Sequence, residues 1–379
     1  MSSARIIIEP GNRLPSATKI ASLSGPFAMQ RGGVLPAVEV AYETWGTLAP
    51  GKDNAILLFT GLSPSAHAAA SPQDPTPGWW EYMIGPGKPL DTRSYYVICV
   101  NSLGSCFGST GPASLNTHTA KPYRLSFPEL SVEDIAHAGH DTVRSLGITR
   151  LHTVMGASLG GMSALAYAML YPDAVENLIS LSAATRATAF AIALRSLQRE
   201  IIRNDAHWNN GDYEHGKGPV EGMRLARKLG LCTYRSAKEW EQRFGHKRLP
   251  AELVDKKTAF DMEFEVESYL EANTRKFINS FDANCYLYLS RAMDLFDVAE
   301  HGGSTEAGLS RVRARRALVI GVETDILFPF DQQKQLAEGL KQVIPEVSLA
   351  GLPSIHGHDA FLVDKERFGP AVGQFLSAD

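Results

Sequence analysis

The chain has 379 residues, of which 44% are hydrophobic and 21% charged, enough to bury one large core or a core with a covering lid. Its net charge of −4 offers no general basic surface for nucleic acid, and no apolar run approaches the ~18 residues of a membrane span. The opening stretch from Met1 to Pro10 lacks the continuous apolar segment of a signal peptide, which points to a cytoplasmic protein.

In chain order, strand patterns fall at 38–44, 55–59, 95–100, 151–155, 175–181, 316–322 and 347–349. Helical crossovers such as 131–146 separate several of them, which favours a mainly parallel α/β sheet. The pattern changes between 184 and 311, where the period is helical and the residues are polar and charged. That stretch carries Arg195, Arg199, Arg203, Arg224, Arg227 and Arg235. It reads as a helical lid inserted between sheet strands, dividing the chain into core at 1–183, lid at 184–311 and core again at 312–379. The cysteines Cys99, Cys106, Cys232 and Cys285 show no metal-ligand spacing and read as reduced thiols, with Cys99 in the core. His137 and His140, three apart on a predicted helix, read as an amphipathic surface, because no third metal ligand accompanies them.

The chemistry concentrates at Gly156-Ala157-Ser158-Leu159-Gly160, directly after an apolar strand pattern and before a helical one expected over 162–170. Such a turn lifts a serine above a sheet, and small residues flank it because side chains there would clash. A bare Gly-x-Ser-x-Gly match is weak on its own. An acid and a base in the right order strengthen it. Asp325 lies just past the strand at 316–322, where open α/β sheets carry their catalytic groups, and His356 and His358 follow the last strand. Spacing alone leaves both histidines open as the base.

Gly357-His358-Asp359-Ala360-Phe361-Leu362 resembles a segment of the homoserine O-acetyltransferase family of α/β-hydrolase-fold acyltransferases. Trp79-Trp80-Glu81, Gly85-Pro86-Gly87-Lys88-Pro89-Leu90-Asp91, Asn101-Ser102-Leu103-Gly104-Ser105, Gly108-Ser109-Thr110-Gly111-Pro112, Phe127-Pro128-Glu129-Leu130 and Thr233-Tyr234-Arg235-Ser236 extend the resemblance over nearly the whole chain. It implies an α/β-hydrolase fold and a triad of Ser158, Asp325 and His358. The N–H groups of Leu62 and Leu159 are the expected oxyanion donors. It also implies an acyl-CoA co-substrate, no metal or bound cofactor, and a homodimer. In the family, the arginine matching Arg227 binds the acceptor's carboxylate and the aspartate matching Asp359 its amino group. The loop 110–127, lying between family motifs, is expected to be ordered beside the site.

One departure narrows the expectation. Where homoserine acetyltransferases usually read His-Ala-Leu-Thr-Gly, this chain reads Thr60-Gly61-Leu62-Ser63-Pro64, which resembles the serine O-succinyltransferase branch. The acceptor pocket at Gly61, Leu62, Ser63 and Pro64 is then shaped for L-serine in cysteine biosynthesis, with L-homoserine in methionine biosynthesis as the alternative. Succinyl-CoA carries a terminal carboxylate that acetyl-CoA lacks, so its use needs an extra buried cation. Arg195 is the candidate. The remote alternative is a serine hydrolase that gives the acyl group to water.

Overall fold

The computed structural model describes residues 14–214, 216–253, 257–278 and 280–378; the opening segment from Met1 to Pro10 lies outside them. Eight strands form one sheet: β1 (Lys19–Ser22), β2 (Glu39–Trp45), β3 (Ala55–Phe59), β4 (Tyr96–Val100), β5 (Leu151–Ala157), β6 (Val175–Leu181), β7 (Arg316–Val322) and β8 (Glu346–Leu352). Their spatial order is β1-β2-β4-β3-β5-β6-β7-β8. β2 runs antiparallel to both neighbours, and every pair from β4 to β8 is parallel. A parallel sheet must be covered on both faces, so its strands read as continuous apolar runs. β3 (Ala-Ile-Leu-Leu-Phe) is buried throughout for that reason.

Side-chain alternation along β3 feeds two apolar layers. Leu57 and Phe59 enter one that contains α1 (Val132–Ser145) and α2 (Leu159–Leu170). Ile56 and Leu58 enter the other, with Trp80 and with Phe368, Val372 and Phe375 of a C-terminal helix (Lys365–Ser377). α1 starts at a capping box, in which the Ser131 hydroxyl accepts from the Asp134 N–H and the Asp134 carboxylate accepts from the Ser131 N–H. α2 is apolar nearly all round because it is buried along almost its whole length, packed on the sheet and on α1.

Between β6 and β7 the chain leaves the sheet and builds α3 (Ala189–Asn204), α4 (Val220–Tyr234), α5 (Ala237–Arg243), α6 (Glu265–Phe277) and α7 (Ala283–Leu295). α3 packs against α4 and α7. The lid's apolar residues, among them Ile202, Met223, Tyr286 and Phe296, join the same layer as α1 and α2.

Several boundaries differ from the sequence pattern for identifiable reasons. β1 is half-exposed and short, so it carries little alternation to read. α2 begins at Leu159, not at 162, because Gly160 and Gly161 are inside it. Those glycines permit close packing: a Cβ on Gly160 would stand 2.3 Å from the Phe59 carbonyl oxygen, and one on Gly161 2.6 Å from the Ala183 Cβ. His137 and His140 are half-buried, unlike an open amphipathic face, with the His140 ring stacked 3.6 Å from that of Tyr171. Among the described residues there is no group of His, Cys, Asp and Glu able to hold a metal, and no helix long and apolar enough to cross a membrane.

Gly139 sets how closely α1 approaches the sheet, since a Cβ there would lie 2.5 Å from the Phe59 ring. Gly139→Ala is expected to destabilise the fold by about 1–3 kcal/mol. Adding Phe59→Leu should make the second change less costly than it is alone, a coupling that urea denaturation of the two single variants and the double variant will measure.

Candidate active site

Ser158 is the single residue between β5 and α2, at φ 57° and ψ −125°. A non-glycine residue rarely holds a positive φ, and does so when its surroundings over-determine it. Here its N–H donates to the Leu181 carbonyl at 2.9 Å, and its own carbonyl accepts from Gly161 and Met162 at 2.9 and 3.0 Å. The turn closes so tightly that a Cβ on Gly156 would meet the Gly160 backbone at 2.2 Å.

His358 stands on the turn Gly357–Asp359 that follows β8. Its Nε2 lies 2.9 Å from Ser158 Oγ and its Nδ1 2.7 Å from Asp325 Oδ2. The other Asp325 oxygen accepts from the N–H groups of Leu327 and Phe328, at 2.8 and 2.9 Å, which fixes the carboxylate. With Nδ1–H donated to Asp325, Nε2 is left to accept the Ser158 proton. Burial opposes the charged form of His358, but the charge and hydrogen bond of Asp325 outweigh it and raise the pKa above its ordinary value. Phe328 stacks on the imidazole at 5.2 Å between centroids. Gly357, at φ +61°, lets the turn pass close to the end of α4, where a Cβ would stand 2.9 Å from the Tyr234 carbonyl oxygen and the Ser236 nitrogen. His356 pairs elsewhere, with Nδ1 3.1 Å from Glu239 Oε2 on α5. Of the two histidines, His358 is the one brought within hydrogen-bond distance of both Ser158 and Asp325.

The loop after β3 forms another wall. Leu62 lines the cavity above Ser158, and Leu159 opens α2. Among the described residues, neither of their N–H groups donates to another protein group. Gly61 has room for a Cβ, whose nearest neighbour would be Pro64 Cδ at 3.8 Å, so packing does not require glycine there. Asn101 Nδ2 donates to the Pro64 carbonyl at 3.2 Å, and Trp79 Nε1 to that of Ser65 at 3.0 Å. Just beyond, His67 Nδ1 lies 2.9 Å from Glu43 Oε2 and Nε2 2.8 Å from the Thr76 carbonyl. An acceptor facing each nitrogen favours a proton on both, and so the charged form of His67 beside a buried carboxylate. Burial works against that charge; the Glu43 and Thr76 hydrogen bonds and the Glu43 charge prevail, and its pKa is raised.

The lid supplies the roof, with Arg195 and Gln198 of α3, Tyr234 of α4 and Tyr286 of α7 lining the cavity. The space enclosed is about 40 Å³. Arg195 is only 6% exposed, so it is not a solvated helix arginine. Arg227 and Asp359 do not line the cavity, but each adjoins a residue that does. The Arg227 guanidinium lies 5.5 Å from the Tyr234 ring centroid, and Asp359 follows His358. Asp359 Oδ2 accepts from Arg235 Nε at 3.1 Å, and Arg235 also pairs with Glu239 at 2.8 Å. Burial raises the Asp359 pKa, a push that the positive charges of Arg235, His358 and Arg227 only partly offset. Arg235 was visible in sequence within a family motif, with no role attached. Glu43, His67 and Tyr286 gave no signal, because a buried polar residue looks like an exposed one until its partner is known.

The raised His358 pKa means that neutral imidazole, the form able to take the Ser158 proton, accumulates only above the ordinary histidine range. Labelling of Ser158 by a fluorophosphonate should therefore rise with pH through a midpoint above ~6.5. Asp325→Asn should lower that midpoint and slow labelling by roughly two orders of magnitude or more. For His67 the favourable form is the protonated one, so its ion pair contributes stability below the unfolded pKa and loses it as pH rises through the raised folded value. The Tm deficit of His67→Gln should be widest near about pH 6 and narrow toward alkaline pH, as thermal melts across that range will show.

Residues 54–362 match the family model described as alpha/beta hydrolase fold. A serine O-succinyltransferase of Litchfieldella anticariensis is 61% identical, covering 96% of this chain and 99% of that protein. One from Xanthomonas campestris pv. campestris is 55% identical, covering 96% and 98%. Among solved structures, a homoserine O-acetyltransferase from Bacillus anthracis superposes with a TM-score of 0.86 at 30% identity, covering 95% of this chain and 97% of that one. Esterase E22 does so at 0.84 and 31% identity, covering 95% and 100%. Strand order, the serine between β5 and α2, and these likenesses over nearly the full length agree: the chain belongs to the α/β-hydrolase fold family, in the branch of the homoserine and serine O-acyltransferases.

Proposed function

We propose that this protein is an L-serine O-succinyltransferase that acts through an acyl-Ser158 intermediate. The observation that carries the reading is the continuous relay from Asp325 through His358 to Ser158, roofed by a lid that brings a buried arginine to the same cavity. His358 takes the Ser158 proton as Oγ attacks the thioester carbonyl of succinyl-CoA, and the imidazolium then protonates the departing CoA thiolate. The hydroxyl of L-serine, deprotonated by the same histidine, attacks the acyl-enzyme. Collapse of that second intermediate returns the proton to Ser158 Oγ and releases O-succinyl-L-serine. The Leu62 and Leu159 N–H groups, free of protein acceptors, are the donors to both tetrahedral oxyanions, each worth about 3 kcal/mol.

The acceptor is a zwitterion. Arg227 takes its carboxylate and Asp359 its ammonium group, and Gly61, Leu62, Ser63 and Pro64 bound the space for its side chain. Arg195 takes the succinyl carboxylate. The scheme needs no metal or resident cofactor; acyl-CoA is consumed as a substrate. The protein acts in the cytoplasm, as a homodimer, in cysteine biosynthesis. The curated relatives at 55–61% identity named serine O-succinyltransferase support serine and the succinyl donor over homoserine and acetyl-CoA. The likeness to esterase E22 keeps water in view as a competing acceptor, and the closed lid argues against it.

CoA release should be measured with succinyl-CoA or acetyl-CoA, each paired with L-serine or L-homoserine. The expected maximum in kcat/KM is succinyl-CoA with L-serine. Free succinate formed equally fast without an amino acid would favour the hydrolase. Arg227→Ala should raise the KM for L-serine about 10- to 100-fold while leaving the rate of Ser158 acylation near wild type, as stopped-flow CoA release will resolve.

A further inference from the structure

Arg195 and Arg199 stand one helical turn apart on α3 and face a single carboxylate. Asp294, on α7, has a side chain 1% exposed; its Oδ1 lies 2.5 Å from Arg195 Nε and its Oδ2 2.7 Å from Arg199 Nη2. Arg199 Nη1 donates to Ser290 Oγ at 2.9 Å. On Arg195 the bond to Asp294 uses Nε, and Nη2 is buried with no hydrogen-bond partner. An unmade bond at a buried guanidinium is costly, and two cations set against one anion leave an uncompensated positive charge beside the catalytic serine. A guanidinium presents more than one edge to carboxylates, so engagement at Nε leaves the terminal nitrogens for a second one.

We infer that Asp294 and Arg199 are positioning residues for acyl-donor choice: together they hold Arg195 with its unbonded Nη2 available to a carboxylate at the end of the acyl chain. The inference rests on the succinyl-donor reading above and assigns it two further residues. Asp294 anchors Arg195 from the side away from the ligand. Arg199 pairs by charge with the second Asp294 oxygen, which itself makes no hydrogen bond, and so competes with the Arg195 terminal nitrogens for it. A donor carboxylate then completes a set of two arginines and two carboxylates, whereas acetyl-CoA leaves the set open.

In a double displacement, kcat/KM for the donor reports acylation alone, whatever the acceptor. It should be measured for succinyl-CoA and acetyl-CoA in wild type, Asp294→Asn and Arg199→Gln, with Tm followed for each. Both variants are expected to lose about tenfold or more with succinyl-CoA, mainly in KM, and to stay within about threefold with acetyl-CoA. Arg199→Gln carries the test alone should Asn at 294 unsettle the lid. Equal losses with the two donors, or an unchanged preference in a folded variant, would overturn the inference while leaving the succinyl reading in place. A wild type that does not favour succinyl-CoA overturns that reading and this inference with it.

Discussion

The closeness of α2 to β3 and β5 governs everything above the sheet. Three glycines, Gly156, Gly160 and Gly161, let the helix start within contact of two strands, and a methyl group on any of them would collide at 2.2–2.6 Å. Within that clamp Ser158 has no alternative to its positive φ, and the N–H of Leu159 faces out from the first turn. The backbone strain at the serine is an expense met by the hydrogen bonds and packing of its neighbours. His358 and Asp325 then need only short turns after β8 and β7 to reach it, because parallel strands bring their C-terminal ends to one edge.

Charge is handled differently in core and lid. Beside the loop that follows β3, Glu43 and His67 form a closed pair whose hydrogen bonds are all made within the protein. Under the lid, Arg195 is buried with a bond unmade, and Asp359 is shared between Arg235 and the field of Arg227. A satisfied pair gives rigidity, whereas an unsatisfied one stores affinity for a ligand that can finish it.

How much of this was legible beforehand depended on whether a residue acts locally. Six of the sheet strands were recognisable because burial on both faces writes itself into the chain as apolar runs, whereas the edge strand β8, with no fully buried residue, was read only at its centre, 347–349. The half-exposed edge strand Lys19–Ser22 wrote nothing comparable. The positions of Ser158 and Asp325 followed from strand ends, but spacing left His356 and His358 open, since both sit in one loop; the family resemblance selected His358, and the structure pairs His356 with Glu239 instead. Asp294 lies 99 residues from Arg195, and no periodicity spans such a gap. Gly160 and Gly161 read in sequence as part of the turn before the helix expected over 162–170, yet they lie inside it and let it pack against the sheet.

The apolar layer on the α1 and α2 side runs without a break into the lid, through Ile202, Met223, Tyr286, Met293 and Phe296. Lid and core therefore share one hydrophobic nucleus and are not joined as two bodies across a hinge. Lifting the lid as a flap would expose that nucleus to water, at a cost comparable to unfolding part of the core. A route into the cavity of about 40 Å³ opens at lower cost by sliding of α3 against α4 and α7, with side chains changing rotamer, than by lifting the lid. The same continuity couples the unfolding of the two parts, since uncovering the site strips apolar surface from the layer that holds α1 and α2 against the sheet.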